Sequence, residues 1–93
     1  MAHYATIDER NIVISVNTGV DETVTQLDNG VEVGGSTEAW ELFYTNQLRN
    51  PNLYVKRCSY NASMRGRYPA IGYTYDADLD EFIAPVEPPV IEP

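Results

Sequence analysis

Ser36-Thr37-Glu38-Ala39-Trp40-Glu41-Leu42-Phe43-Tyr44-Thr45-Asn46-Gln47-Leu48-Arg49-Asn50-Pro51 decides the fold class: it is the one convincing helix in a chain otherwise written in strands and turns. Ser36 or Thr37 offers a side-chain oxygen to an orphan N–H of the first turn. Glu38 and Glu41 bring negative charge towards the positive end of the helix dipole. Ala39, Trp40, Phe43, Tyr44, Gln47 and Leu48 recur at three- and four-residue spacings and form one apolar face. Asn50-Pro51 ends the run, because the residue before a proline is pushed out of helical geometry. The spacing predicts a helix over about residues 37–49. Trp40, Phe43 and Tyr44 read as core rather than as an exposed partner face, given the amphipathic pattern.

Upstream, His3-Tyr4-Ala5-Thr6-Ile7 and Ile12-Val13-Ile14-Ser15-Val16 are rich in strand formers, and Asp8-Glu9-Arg10-Asn11 between them is a polar turn. They predict an N-terminal β-hairpin. Glu22–Leu27 and Val31–Val33 read as a second pair of short strands around Asn29-Gly30, a pair favoured where φ is positive. Downstream, Leu53–Tyr60 is a strand with Leu53, Val55, Arg57 and Ser59 on one face and Tyr54, Lys56, Cys58 and Tyr60 on the other. Residues 61–67 form a loop. Tyr68–Tyr75 reads as a strand containing Gly72, where glycine marks a bulge or a close backbone approach. Asp76–Asp80 is a turn, and Glu81-Phe82-Ile83 returns. One face of this aromatic hairpin is expected to meet the helix, leaving the other for a partner. The sum is α+β: a small antiparallel sheet packed by one helix.

Ninety-three residues suit one small domain, here residues 1–84. Residues 85–93, with prolines at 85, 88, 89 and 93, read as an extended arm that favours polyproline geometry. Val86, Val90 and Ile91 are its apolar teeth. Such an arm either lies across a neighbour at low ordering cost or is a frayed terminus.

The net charge of −8 argues against nucleic acid, which calls for a basic face, and against an anionic membrane surface. Charge is also segregated. Residues 1–48 carry eight acids and only Arg10 as base, residues 49–75 carry five bases and no acid, and residues 76–93 carry six acids and no base. A basic middle between acidic ends closes on itself, pairs with neighbouring copies, or is simply a solvated surface. The start of the chain lacks the pattern of a signal peptide, so synthesis in a cytoplasm is expected.

Little in the chain points to catalysis, metal or cofactor. Cys58 is the sole cysteine and reads as a small buried hydrophobe. His3 is the sole histidine, with no second histidine or thiol beside it to build a triad or a zinc site. Asp76, Asp78 and Asp80 alternate as in a calcium loop, but Glu81 stands where that loop requires glycine. An acidic hairpin turn is the preferred reading, with weak cation binding as the alternative. Asn61-Ala62-Ser63 matches a glycosylation acceptor by chance, and Gly34-Gly35 is too short to cradle phosphate.

The opening Met1-Ala2-His3-Tyr4-Ala5-Thr6-Ile7-Asp8 with Asn11-Ile12-Val13, and the closing Ser59-Tyr60-Asn61, Tyr68, Ala70-Ile71-Gly72-Tyr73-Thr74-Tyr75-Asp76, Asp80 and Phe82-Ile83, carry a resemblance. They resemble small, largely uncharacterised virion-associated proteins of marine tailed bacteriophages, cyanophages above all. The match covers roughly half of the chain and leaves residues 17–52 unmatched. Members of that group often end in Pro-Ser-Trp, whereas this chain ends in Pro88-Pro89-Val90-Ile91-Glu92-Pro93. The resemblance implies a non-enzymatic virion structural protein, a capsid decoration or cement protein whose partner is the major capsid protein or another virion protein. The alternatives are a minor tail, neck or fibre-associated component, and a free phage-encoded protein that binds a host factor. Self-association is a further possibility, and no cofactor is expected. Tyr68, Tyr73, Tyr75, Phe82, Val86, Val90 and Ile91 are the expected partner contacts, with Arg65 and Arg67 steering the approach.

Overall fold

The structure, a computed structural model, describes residues 2–59 and 64–85. Its centre is strand β1 (Ala2–Ile7), which pairs antiparallel with β2 (Val13–Gly19) on one side. A short antiparallel ribbon follows, β3 (Thr25–Asp28) with β4 (Val31–Gly34), turned at Asn29-Gly30, both with positive φ. Helix α1 (Thr37–Leu48) comes next, then β5 (Tyr54–Cys58), which pairs antiparallel with the other side of β1. The chain closes with the hairpin β6 (Thr74–Asp76) and β7 (Glu81–Ile83). The main sheet therefore runs β2-β1-β5, and the fold is α+β with small antiparallel sheets and one helix.

β1 takes the central place because both of its faces are apolar enough to bury. Ala2 and Tyr4 pack with Val55 and with Trp40 of the helix. On the opposite face, Ala5 and Ile7 pack with Val13, Cys58, Tyr75 and Phe82. Two small cores thus sit back to back on one strand, one under the helix and one under the C-terminal hairpin. The alternation expected along β5 holds: Val55 faces the helix, and Tyr54 and Cys58 face away. The turn from β1 to β2 is tied by Asp8, whose Oδ1 accepts from the Arg10 and Ile12 amides at 2.9 and 3.0 Å. A bulge follows: Thr6 pairs with Ser15 and Ile7 with Val13, so Ile14 is the extra residue.

Helix α1 starts as its sequence predicts. Ser36 is the N-cap, and its Oγ accepts from the Ala39 amide at 3.1 Å. It ends one residue early because Arg49 takes the left-handed conformation, φ 51°, and donates its N–H to Asn46 O. Trp40 is fully buried, donates Nε1–H to Val24 O at 2.8 Å, and lies on Gly34. Gly34 has φ +92°, and a methyl group there would overlap the indole ring, so both backbone and space demand glycine. The helix stripe differs from expectation in one respect. Glu41 is buried beside Trp40, whereas Gln47 and Leu48, at the end of the expected face, are exposed.

Two expectations for the C-terminal segment are corrected. The strand expected over 68–75 is regular only from Thr74, because residues 70–73 turn, with Tyr73 N–H donating to Ala70 O and Gly72 at φ 98°. This turned segment pairs with the start of β2: Val13 N–H donates to Tyr73 O at 2.7 Å and Gly72 N–H to Val13 O at 2.9 Å. The hairpin also does not meet the helix. It covers the sheet face opposite α1, since Tyr75 and Phe82 belong to the core on that side. Of the proline-rich arm, only Pro85 lies within the described residues.

Candidate partner-binding surface

The ionisable groups of the segregated charge pattern meet across the fold. Glu41, on the second turn of α1, reaches the outer edge of β5. Its Oε2 accepts from the Arg57 amide and from Arg65 Nη1, both at 2.7 Å, and Oε1 stands 3.7 Å from Lys56 Nζ. Arg65 also donates from Nη1 to Arg57 O at 2.8 Å and from Nε to Asp80 Oδ1 at 2.7 Å. The Tyr75 hydroxyl donates to the same Asp80 oxygen. Arg57 Nη2 in turn pairs with Glu22 Oε2 at 2.8 Å. Each pair joins a base of the middle segment to an acid before or after it, so the basic middle closes on itself.

The network shifts protonation as its geometry requires. The hydrogen bond from Tyr75, joined by the hydrogen bond and charge of Arg65, holds the Asp80 carboxyl below its ordinary value against the opposing effect of burial. Burial, and then the Asp80 carboxylate, push the Tyr75 phenol up to about 12. Burial pulls Arg65 down, but Asp80 and Glu41 outweigh it and keep the guanidinium above its usual range. Cys58, in the core, is raised by burial to about 11.

These contacts make a seal for β5, which is an edge strand. An edge offers unpaired N–H and C=O groups to any passing strand. Here the Val55 amide donates to Thr45 Oγ1 at 2.9 Å, the Arg57 amide is taken by Glu41, and Arg57 O is taken by Arg65. Sequence reading missed this role of Glu41. The signal was present: an acid inside the apolar stripe of the helix, complemented by Lys56, Arg57 and Arg65 downstream.

The residues expected to contact a partner divide three ways. Tyr75 and Phe82 are 4% and 2% exposed, so they are core and present almost no surface. Arg65 is committed to Glu41 and Asp80 with its side chain 11% exposed, which leaves no free cation there for steering. Arg67 is exposed, and Tyr68 and Tyr73 are half-buried, leaning on the core beneath the hairpin. Tyr68 meets the His3 ring edge-on with centroids 5.4 Å apart. Ile71, between the two tyrosines and not among the expected contacts, is 74% exposed. Val86, Val90 and Ile91 lie outside the described residues. Among the described residues, the loop Arg67–Tyr73 is therefore the part of the expected contact set that lies at the surface.

Two further surfaces were not foreseen. Leu27, Val31 and Leu42 stand out from the β3–β4 ribbon and α1, each more than half exposed. A groove of about 190 Å³ opens between the helix and β2, walled by Tyr4, Thr6, Asn17, Tyr44, Gln47 and Leu48. Among the described residues, no cluster of His, Cys, Asp and Glu is arranged to hold a metal ion, and no helix is long and apolar enough to cross a membrane. In comparisons with known proteins, no family model, no curated protein and no solved structure matches this chain.

Proposed function

We propose that this chain is a non-enzymatic structural component of a phage particle, a decoration or cement protein seated on the capsid shell. The observation that carries the reading is a division of labour among side chains. The acids and bases that stand closest together, Glu22, Glu41, Arg57, Arg65 and Asp80, tie distant parts of the chain to one another. Apolar side chains, in contrast, are exposed at Ile71, Leu27 and Leu42, and Tyr68 and Tyr73 show part of their rings beside Ile71. Exposed apolar groups of this kind suit contact with a protein, and tyrosine is favoured at such interfaces. The resemblance of the closing segment to virion-associated phage proteins supplies the setting. In this reading Arg67, Tyr68, Ile71 and Tyr73 contact the shell, and Val86, Val90 and Ile91 of the proline-rich arm extend the contact onto a neighbour.

The test is mass spectrometry of gradient-purified particles with copy counting. Hundreds of copies per particle support a shell protein, and a few to tens assign it instead to the tail or neck. Absence from intact particles overturns the proposal and favours a free binding protein. Removal of residues 85–93 is expected to lower occupancy on the shell; undiminished occupancy would remove the arm from the account.

A further inference from the structure

The two edges of the main sheet are treated differently. β5 is sealed by Thr45, Glu41 and Arg65. β2 is not. Because Val55 and Arg57 turn their backbone groups outward, Tyr54, Lys56 and Cys58 bond to Ile7, Ala5 and His3. Ala2, Tyr4 and Thr6 therefore bond to Gly19, Asn17 and Ser15 of β2, and Val13, Val16 and Thr18 face outward. Val13 is taken by Gly72 and Tyr73. Among the described residues, the outward N–H and C=O groups of Val16 and Thr18 have no hydrogen-bond partner.

We infer that this open edge pairs with the β2 edge of a second copy, antiparallel about a dyad at Asn17, joining two sheets into one of the order β5-β1-β2-β2-β1-β5. The register follows from the outward groups. Val16 of each copy exchanges both backbone bonds with Thr18 of the other, and the two Asn17 residues face each other as the closely spaced, non-bonded pair. Charge selects a second copy as the occupant. The chain carries −8, yet residues 11–20, Asn-Ile-Val-Ile-Ser-Val-Asn-Thr-Gly-Val, contain no charged residue. Two acidic molecules can meet here without opposing like charges across the ladder, and the stretch has none of the lysine or proline that guards a natural edge. The proline-rich arm is a poor occupant, because proline cannot donate to a ladder. The groove walled by Tyr44 and Leu48 opens beside the same edge and adds apolar surface for the twin to cover. The contact is small beside the roughly 1,600 Å² of a standard interface, so the dimer is weak, with a Kd on the order of 10 μM or above. This inference stands apart from the virion reading, since it concerns the isolated chain.

The test uses the full chain in three variants, with sedimentation equilibrium from low micromolar to millimolar protein and circular dichroism as the check of folding. The parent is expected to pass from monomer to dimer over that range. Asn17→Cys, which alters an exposed side chain, is expected to form a disulfide-linked dimer in air, the native Cys58 being buried and so silent. Asn17→Asp sets two carboxylates face to face at the dyad and is expected to weaken the dimer on the order of tenfold. Thr18→Pro removes one outward N–H that β1 does not use, and is expected to abolish dimers. A parent that stays monomeric overturns the inference, whether or not some foreign strand binds the edge. So does a dimer that Asn17→Cys fails to cross-link, or one indifferent to Asn17→Asp. If Thr18→Pro does not fold, the two Asn17 variants decide.

Discussion

Gly34 shows how one residue holds a layer in place. Its left-handed φ and its position beneath the Trp40 ring let the β3–β4 ribbon turn into α1 with the indole laid on bare backbone. Gly34→Ala is expected to cost about 3 kcal/mol, from strained backbone together with overpacking, measured as a shift in urea midpoint at unchanged slope. Tyr75 and Tyr4 make a second residue-scale statement, through pH. Burial is the first cause that raises each phenol, to about 12 in both cases. A phenol whose folded value lies above its unfolded value of roughly 10 contributes stability that is complete below that pH and is lost as pH rises towards the folded value. Stability is therefore expected to fall between pH 10 and 12, and Tyr75→Phe to flatten part of that fall; chemical denaturation at stepped pH checks both. Asp80 has the opposite sign. Held low by Tyr75 and Arg65, its contribution is present at neutral pH and disappears as pH drops through its folded value.

At the scale of elements, the β5 edge depends on one buried carboxylate. Glu41 satisfies the Arg57 amide and neutralises Arg65 in the same oxygen. Glu41→Ala leaves that amide unpartnered and a largely buried guanidinium short of one anion, which is expected to cost about 3 kcal/mol. Hydrogen exchange reads the site directly. The Arg57 amide is expected to lose protection far more than the Lys56 amide, which is bonded to β1. Equal loss at both would mean that the whole strand loosens rather than its edge. The seal was only half legible in the sequence. The segregation of charge offered closure of the chain on itself as one of three readings, without saying which of the five bases of the middle segment would pair. The acid they meet was hidden, because helical spacing identifies which side of α1 is buried but not that an edge strand lies beneath it needing an acceptor.

At the scale of the whole molecule, one strand carries two cores, and this makes the layers interdependent. Phe82→Ala, on the hairpin side, is expected to cost about 3–5 kcal/mol and to release the helix layer with it, because β1 cannot stay ordered with one face exposed. Trp40 fluorescence, which reports the helix side, should then show the same shifted midpoint as far-ultraviolet circular dichroism; an unshifted Trp40 transition would show that the layers unfold separately. The sequence by itself determined the α+β class, the positions of the helix and of the first two hairpins, and the two faces of β5. These features are local: a cap, a spacing of three and four, an Asn-Gly pair and strict alternation are each settled within a few residues. The tertiary structure alone decided that the aromatic hairpin covers the face away from the helix, that Tyr75 and Phe82 are core and Arg65 is committed to Glu41 and Asp80, and that among the described residues the β5 edge is closed while Val16 and Thr18 of β2 are unpaired on their outer side. Burial and edge exposure depend on which strands become neighbours, and strand order is a property of contacts between residues far apart in the chain.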